Sequence, residues 1–238
     1  LSLLRVGALV AVLVGAASAQ PRQATVQAGP DTLTQKRNAL GLLLSISGDG
    51  FGIGGIYRRT LNDDLYAFVT LGVHGSKDDR EVERVDPFTG TTYVPGKLNR
   101  FIVVPMVFGL ERRLFREEIL DNFRPYLNVG VGPAMIYAAP YTDIIYNENG
   151  GVSEYRPVEF FNSLSRGQAH WTVTALIGAG AFFGSERSSL MGLHFSYSFT
   201  YLLGGGIPSL YDPSTGAVVG TKESFGGFSI TLTIGTSY

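Results

Sequence analysis

The stretch Phe228-Ser-Ile-Thr-Leu-Thr-Ile-Gly-Thr-Ser-Tyr238 decides how the chain is read. Phe228, Ile230, Leu232 and Ile234 alternate with Ser229, Thr231, Thr233 and Gly235, and an aromatic residue, Tyr238, follows. Alternation with a period of two is a strand signal, because successive side chains point to opposite faces. A strand half-buried in a soluble protein turns Lys or Glu towards water, whereas the second face here carries only Ser, Thr and Gly. Bulky apolar groups on one side and small uncharged ones on the other suit a wall between lipid and a cramped interior. An edge strand of a secreted sandwich or a lipocalin-like barrel is the alternative that this strand alone leaves open.

Working outward, the composition of the 238 residues narrows the choice. The formal net charge is -1, which gives no electrostatic footprint for a nucleic-acid partner. Without Cys there is neither a disulfide framework nor a thiolate metal site. The 31 Gly, 12 Tyr and 15 Phe fit β-structure with aromatic girdles better than a helical protein. Residues 1–19 hold Arg5, an apolar run over 6–16 and then Ala17-Ser18-Ala19, the pattern of a secretory signal peptide cleaved after Ala19. A membrane-spanning helix needs about 20 apolar residues, more than this run supplies. Residues 20–37, polar and broken by Pro21, Gly29 and Pro30, read as a flexible periplasmic arm.

From 38 to 238 no stretch carries a helical period, and eight strands can be laid down. They fall at about 39–47, 51–59, 65–74, 98–114, 124–135, 169–183, 191–201 and 228–238. Outward ladders are expected from Leu40, Leu42, Leu44 and Ile46, from Phe51, Ile53 and Tyr57, and from Ile102, Val104, Met106, Phe108 and Leu110. Further ladders come from Leu127, Val129 and Val131, from Trp171, Val173 and Ile177, and from Phe195, Tyr197 and Phe199. Pro105 forfeits a ladder hydrogen bond inside the fourth strand. Connections after strands two, four and six are short, while those after three, five and seven reach about 20 residues or more, the sorting expected of short periplasmic turns and long external loops. No outward ladder carries a charge at its centre, where Lys or Arg would cost roughly 2–4 kcal/mol against lipid. A lipocalin would reverse this pattern, with an apolar lumen and a charged exterior.

Three stretches, 103–110 (VVPMVFGL), 124–133 (RPYLNVGVGP) and 228–238, resemble the small bacterial outer-membrane β-barrel families of the OmpA transmembrane domain and OmpX type. The resemblance covers about residues 38–238 and implies an eight-stranded antiparallel up-and-down transmembrane β-barrel in the outer membrane of a Gram-negative-type bacterium. It implies that Phe228, Ile230, Leu232, Ile234 and Tyr238 form the insertion signal read by the barrel-assembly machinery, although Tyr238 replaces the commoner Phe. Outer-membrane lipid and lipopolysaccharide become the expected surroundings. A structural or adhesion-like surface role, without catalysis or cofactor, becomes the expected function.

Asp86-Pro87-Phe88-Thr89-Gly90 and Asp212-Pro213-Ser214-Thr215-Gly216 repeat one pattern in two external loops. Pro presets the first turn position and Gly accepts positive φ at the end, so both read as hairpin tips. Asn147-Glu-Asn-Gly-Gly151 marks a third, and all three long loops are expected to rise as β-hairpins. Arg58 and Glu111 should face inward near the periplasmic end, either paired as a plug or hydrated at the barrel mouth. His74, His170 and His194 are expected inside, as lining. His194-Phe195-Ser196 is similar to the His-x-Ser of the outer-membrane lipid A deacylases, but no Glu follows at a matching distance and Phe195 and Tyr197 hold the apolar face. Tyr141, Tyr146, Tyr155, Phe160 and Phe161 cluster in the third long loop. They fit packing of the loop on itself, or a hydrophobic ligand at the mouth as in barrels of the OmpW type. Carriage of small hydrophobic molecules and lipid modification are therefore the first two rival functions, and a secreted lipocalin-like binder is the third.

Overall fold

The computed structural model describes residues 37–238 apart from 86, 89, 91, 120, 121, 149–151 and 185–189. The leader at 1–19 and nearly all of the arm at 20–37 lie outside the described residues, as does Asp86. In chain order the elements begin β1 (Asn38–Ser47), β2 (Gly50–Thr60), β3 (Leu65–Ser76), β4 (Arg84–Val85), β5 (Thr92–Tyr93), β6 (Asn99–Arg113) and β7 (Phe123–Pro140). Then come β8 (Thr142–Tyr146), β9 (Val152–Pro157), a short helix α1 (Phe160–Ser165), β10 (Gln168–Phe183), β11 (Leu190–Tyr201), β12 (Ile207–Tyr211), β13 (Val218–Lys222) and β14 (Ser224–Ser237).

Eight of these strands form a closed barrel in which chain neighbours pair in turn, β1-β2-β3-β6-β7-β10-β11-β14, with β14 returning to β1. Every pairing is antiparallel. The closing seam matches Leu42 with Ile234, Leu44 with Leu232 and Ile46 with Ile230. Apolar side chains thus stand beside apolar side chains on the outer face, while Ser45 meets Thr231 on the inner one. Pro105 leaves its mark as a local gap. Recorded β3–β6 pairs stop at Leu71 with Met106 and resume at His74 with Val103 in the same register. The missing N–H interrupts the ladder without shifting it.

The expected side-chain parity holds on all eight strands. Leu40, Leu42, Ile46, Phe51, Ile53, Leu71, Met106, Phe108, Leu127, Val131, Val173, Ile177, Phe195, Phe228 and Ile234 are exposed on the outer wall. Ser45, Asn128, Thr172, Thr174, Ser196, Thr200, Thr231 and Thr233 are buried inside. The lumen is less uniformly small than the sequence pattern suggests, because Tyr66, Phe68, Phe101, Tyr126, Ile136, Phe182 and Phe225 also point inward. Inward glycines make the room. A Cβ on Gly109 would sit 2.3 Å from Phe68 Cζ, and one on Gly178 would sit 2.3 Å from His194 Nε2.

Two strand boundaries and one added helix stand out against the sequence reading. β7 runs on to Pro140, and β14 begins at Ser224 rather than 228, because Gly226 and Gly227 carry no side chain to show the alternation. Helix α1 occupies a loop in which no helical period is visible; six residues are too few to display one. The connections after β2, β6 and β10 are short and join strand ends on the side that carries residues 38 and 238, while the tight turn at 48–49 is the one short connection at the opposite end. The long ones, 77–98, 141–167 and 202–223, also lie at that opposite end. Each long one contains a two-stranded hairpin, β4–β5, β8–β9 or β12–β13.

Glycine complementarity in the lumen gives a direct prediction. Gly109→Ala drives a methyl group into Phe68 and the Val129 carbonyl and should destabilise the barrel by about 1–3 kcal/mol. Gly55→Ala, whose Cβ meets nothing nearer than 3.7 Å, should lie within about 1 kcal/mol of wild type. Urea unfolding midpoints in micelles separate the two.

Candidate functional site: a plugged lumen beneath interlocked loops

Arg58 on β2 and Glu111 on β6 are brought together across β3. Arg58 Nε donates to Glu111 Oε1 at 2.8 Å, and Nη2 lies 2.6 Å from the same oxygen. The Glu111 side chain is 1% exposed. Of the two arrangements the sequence leaves open, the structure has the paired and buried one. The guanidinium also lies 3.4 Å from the centroid of the Tyr66 ring and 4.9 Å from that of Phe182. Ile56, Phe68, Val107, Tyr126 and Leu190 form an apolar collar at this level. Arg113 and Arg124 are buried there too. A charge pair out of water is tolerated only with good geometry and further polar partners, and the ring faces supply part of that here.

Above the plug lies a chamber of about 130 Å³ lined by hydroxyl-bearing side chains. Ser196 and Ser229 are bonded at 2.9 Å, and Thr200 donates to Thr174 at 2.8 Å. His74 pairs with Ser45 and His194 with Asn128, each at 3.2 Å. His194 and Ser196 both turn into the lumen, away from the apolar wall on which Phe195 stands. His170 departs from the expectation of lumen lining. It lines a cleft at the long-loop rim, because β11 ends at Tyr201 and leaves only β7 paired beside it. Among the described residues no three His, Asp or Glu side chains gather as a metal site.

The long-loop end is closed by a second, apolar layer of Phe101, Val103, Ile136, Ala138, Leu202, Ile207 and Phe225. Phe101 and Phe225 meet edge to face at 5.3 Å. Over this lid the loops are interlocked. Leu98 N donates to Ser209 O at 2.9 Å, Tyr211 N to Gly96 O at 2.7 Å and Asn99 Nδ2 to Pro208 O at 2.7 Å, tying the loop after β3 to the loop after β11. Tyr155 stacks on Tyr211 at 4.7 Å and donates to Pro213 O, drawing in the loop after β7. Its aromatic residues therefore pack across loops as well as within their own. Tyr141 lies beneath the Arg100 guanidinium, while Phe160 and Phe161 meet edge to face on the exposed helix.

Two ion pairs inside this crown escaped the sequence reading: Lys97 with Glu81 at 2.5 Å and Arg80 with Asp78 at 2.8 Å. Charges in a loop read as solvated, and only the fold shows that Glu81 and Asp78 are buried. Burial alone would raise the Asp78 pKa. Hydrogen bonds from the Arg80 side chain, Ser209 and the Arg80 backbone N–H, with the Arg80 charge, outweigh it and hold the carboxyl well below the usual range.

The hairpin-tip residues sit where the turn chemistry requires. Asp212 Oδ1 accepts from Ser214 N and Oγ at 2.8 and 2.7 Å, and its carbonyl accepts from Gly216 N. Gly216 and Gly90 have φ of 71° and 68°, in the left-handed region that favours glycine. Pro87 occupies the turn of the β4–β5 tip. Phe228, Ile230, Leu232, Ile234 and Tyr238 lie along the outer wall.

No protein-family model and no curated protein matches the chain. Solved structures similar to it include the N-terminal β-barrel domain of Pseudomonas aeruginosa OprF, at 13% identity and TM-score 0.44 over 86% of this chain and 98% of that one. The attachment invasion locus protein Ail of Yersinia pestis is 12% identical, with TM-score 0.36 over 85% and 95%. Neisserial surface protein A is 12% identical, with TM-score 0.34 over 84% and 93%. The barrel itself rests on its own strand pairing.

Removing one member of the buried pair should cost more than removing both. Glu111→Leu is expected to lose about 3–5 kcal/mol by stranding Arg58, and Arg58→Met with Glu111→Leu to recover much of that. A double-mutant cycle of urea midpoints measures the difference. For Asp78, whose folded pKa is depressed, the stabilisation is present above the unfolded carboxylate value and disappears as pH falls through the lower folded one. Protection of the β12 amides should thus be complete at pH 7 and begin to fall only below pH ~4, whereas Asp78→Asn should lower it already at pH 7.

Proposed function

We propose that this protein is an exported outer-membrane β-barrel that acts through the surface it presents and does not conduct solutes. The observation that carries the reading is the inverted solvent pattern, a continuous uncharged apolar outer wall around a hydroxyl-lined and plugged interior. Soluble monomers rarely expose a contiguous apolar patch larger than a few hundred Å². A belt this extensive requires another solvent, and lipid is that solvent. The described charges of the outer face, Arg59, Arg100 and Arg112, sit at strand ends, where long basic side chains reach water. Tyr57, Phe123, Phe183 and Tyr238 at one end and Phe51, Trp171 and Tyr201 at the other are placed as two aromatic girdles.

In this reading residues 1–19 direct export and are removed, and residues 20–37 stay in the periplasm. The strand 228–238 is recognised by the assembly machinery, and lipid and lipopolysaccharide surround the wall. The ion-pair plug below and the apolar lid above oppose passage along the axis, which weighs against a carrier that works through the lumen. The inward positions of His194 and Ser196 weigh against lipid modification from the membrane side. What reaches the outside is a rigid crown of three hairpins tied to one another, suited to contact with a surface partner.

Fractionation of cells making the full chain should place it with outer-membrane proteins. Ile177→Arg, at mid-wall, should cost roughly 2–4 kcal/mol and lower the inserted amount. In planar bilayers the protein should give no resolved conductance; steady open channels would refute the plugged reading. Deleting the tips around Pro87–Gly90 and Asp212–Gly216 should leave insertion intact while abolishing surface attachment. Unchanged attachment would remove the adhesive role.

A further inference from the structure

The barrel wall is incomplete at one place on the long-loop rim. β10 pairs with β7 as far out as Gln168 with Ala138, but with β11 only as far as Val173 with Tyr201. Over residues 168–172 the second neighbour is replaced by the segment 202–208, and no main-chain hydrogen bond joins the two. The space between them is a cleft of about 710 Å³, within the roughly 300–1,000 Å³ usual for small-molecule sites. Its lower lip is Trp171, 73% exposed on the outer wall, with Val173 below it. Its back is Leu202 and Ile207, which belong to the apolar lid.

The polar side of the cleft is rich in donors and is lined by no carboxylate, although Asp143 stands against Arg166. Arg166, Gln168 and His170 line it, and no Asp or Glu does. Asp143 holds the Arg166 guanidinium through Nη1 and Nη2, both at 2.7 Å. Of the five N–H donors of an arginine this leaves three, of which Nε–H and one Nη–H form a fork. Gln168 and His170 make no side-chain hydrogen bond among the described residues. We propose that the cleft binds a single-chain amphiphile with an anionic oxygen-acid head. The head meets Arg166, Gln168 and His170, while the chain descends past Trp171 into the lipid. A guanidinium fork recognises such oxygens, and the apolar lip opens where an acyl chain already lies. The inference rests on the membrane reading above, since the ligand enters from the lipid side.

Trp171 is the chain's one tryptophan, so its fluorescence reports on this lip alone. The full-length protein in nanodiscs is titrated with dibromostearate, with its methyl ester and with inorganic phosphate as competitor. Saturable quenching by the acid is expected, at least about fivefold tighter than by the ester, with phosphate unable to displace it. Gly204→Leu, which projects into open space, should weaken the acid by about tenfold or more by filling the cleft. Arg166→Gln with His170→Leu should erase the preference for acid over ester. Equal, non-saturating quenching by acid and ester, displacement by phosphate, or indifference to Gly204→Leu would each overturn the proposal. Brominated phosphatidylcholine in the disc tests the membrane reading separately. If it fails to quench Trp171, the lipid-facing wall falls; if it quenches while the acid does not saturate, the cleft alone falls.

Discussion

Closure of the ladder between β1 and β14 is the constraint from which the rest follows. Once the last strand has paired with the first, the sheet has no free edge strand, and the backbone of the wall pairs with its neighbours except at the Pro105 gap and at the rim over 168–172. The wall is then one residue thick. Each side chain must face either the outside or the inside, and a shift of one residue in register would exchange the two sets completely. The match of Leu42, Leu44 and Ile46 with Ile234, Leu232 and Ile230 therefore fixes the chemistry of both faces at the seam.

Eight strands enclose so little space that the interior has to be filled by side chains. Filling is uneven along the axis. At the end with the chain termini a charge pair is embedded among rings and aliphatic groups, and at the loop end an apolar layer shuts the lumen, with Lys222 over the Phe225 ring and paired to Asp49. Between them hydroxyls satisfy one another around a small chamber. Desolvation makes the charged level expensive, so its geometry is demanding, and stacking of Arg58 on Tyr66 is part of how that demand is met. The crown repeats the device outside the wall, where Glu81 with Lys97 and Asp78 with Arg80 add to the backbone bonds and the Tyr155–Tyr211 stack that join the loops.

The lateral cleft follows from the same geometry. Strands of unequal height leave unpaired backbone where the taller one stands alone, and β10 stands above β11 over residues 168–172. Closure satisfies the wall over most of its height, and its failure at the rim leaves polar groups and an apolar lip side by side.

The sequence by itself determined the eight strands, the direction each side chain faces, the sorting of long and short connections and the hairpin chemistry at Asp212-Pro213 and Gly216. All of these are local or periodic properties, written in alternation and turn residues. It could place Arg58 and Glu111 inside but could not decide between pairing and hydration, because they are far apart in the chain and joined only through the register of β2, β3 and β6. The true length of β14 was hidden by Gly226 and Gly227, which have no side chains to alternate. His170 kept the right parity but lost one neighbour, a matter of strand height that no single strand records. The burial of Asp78 and Glu81, the lid and the interlocked loops were settled by tertiary structure alone, because burial belongs to what packs against a residue and not to the residue itself.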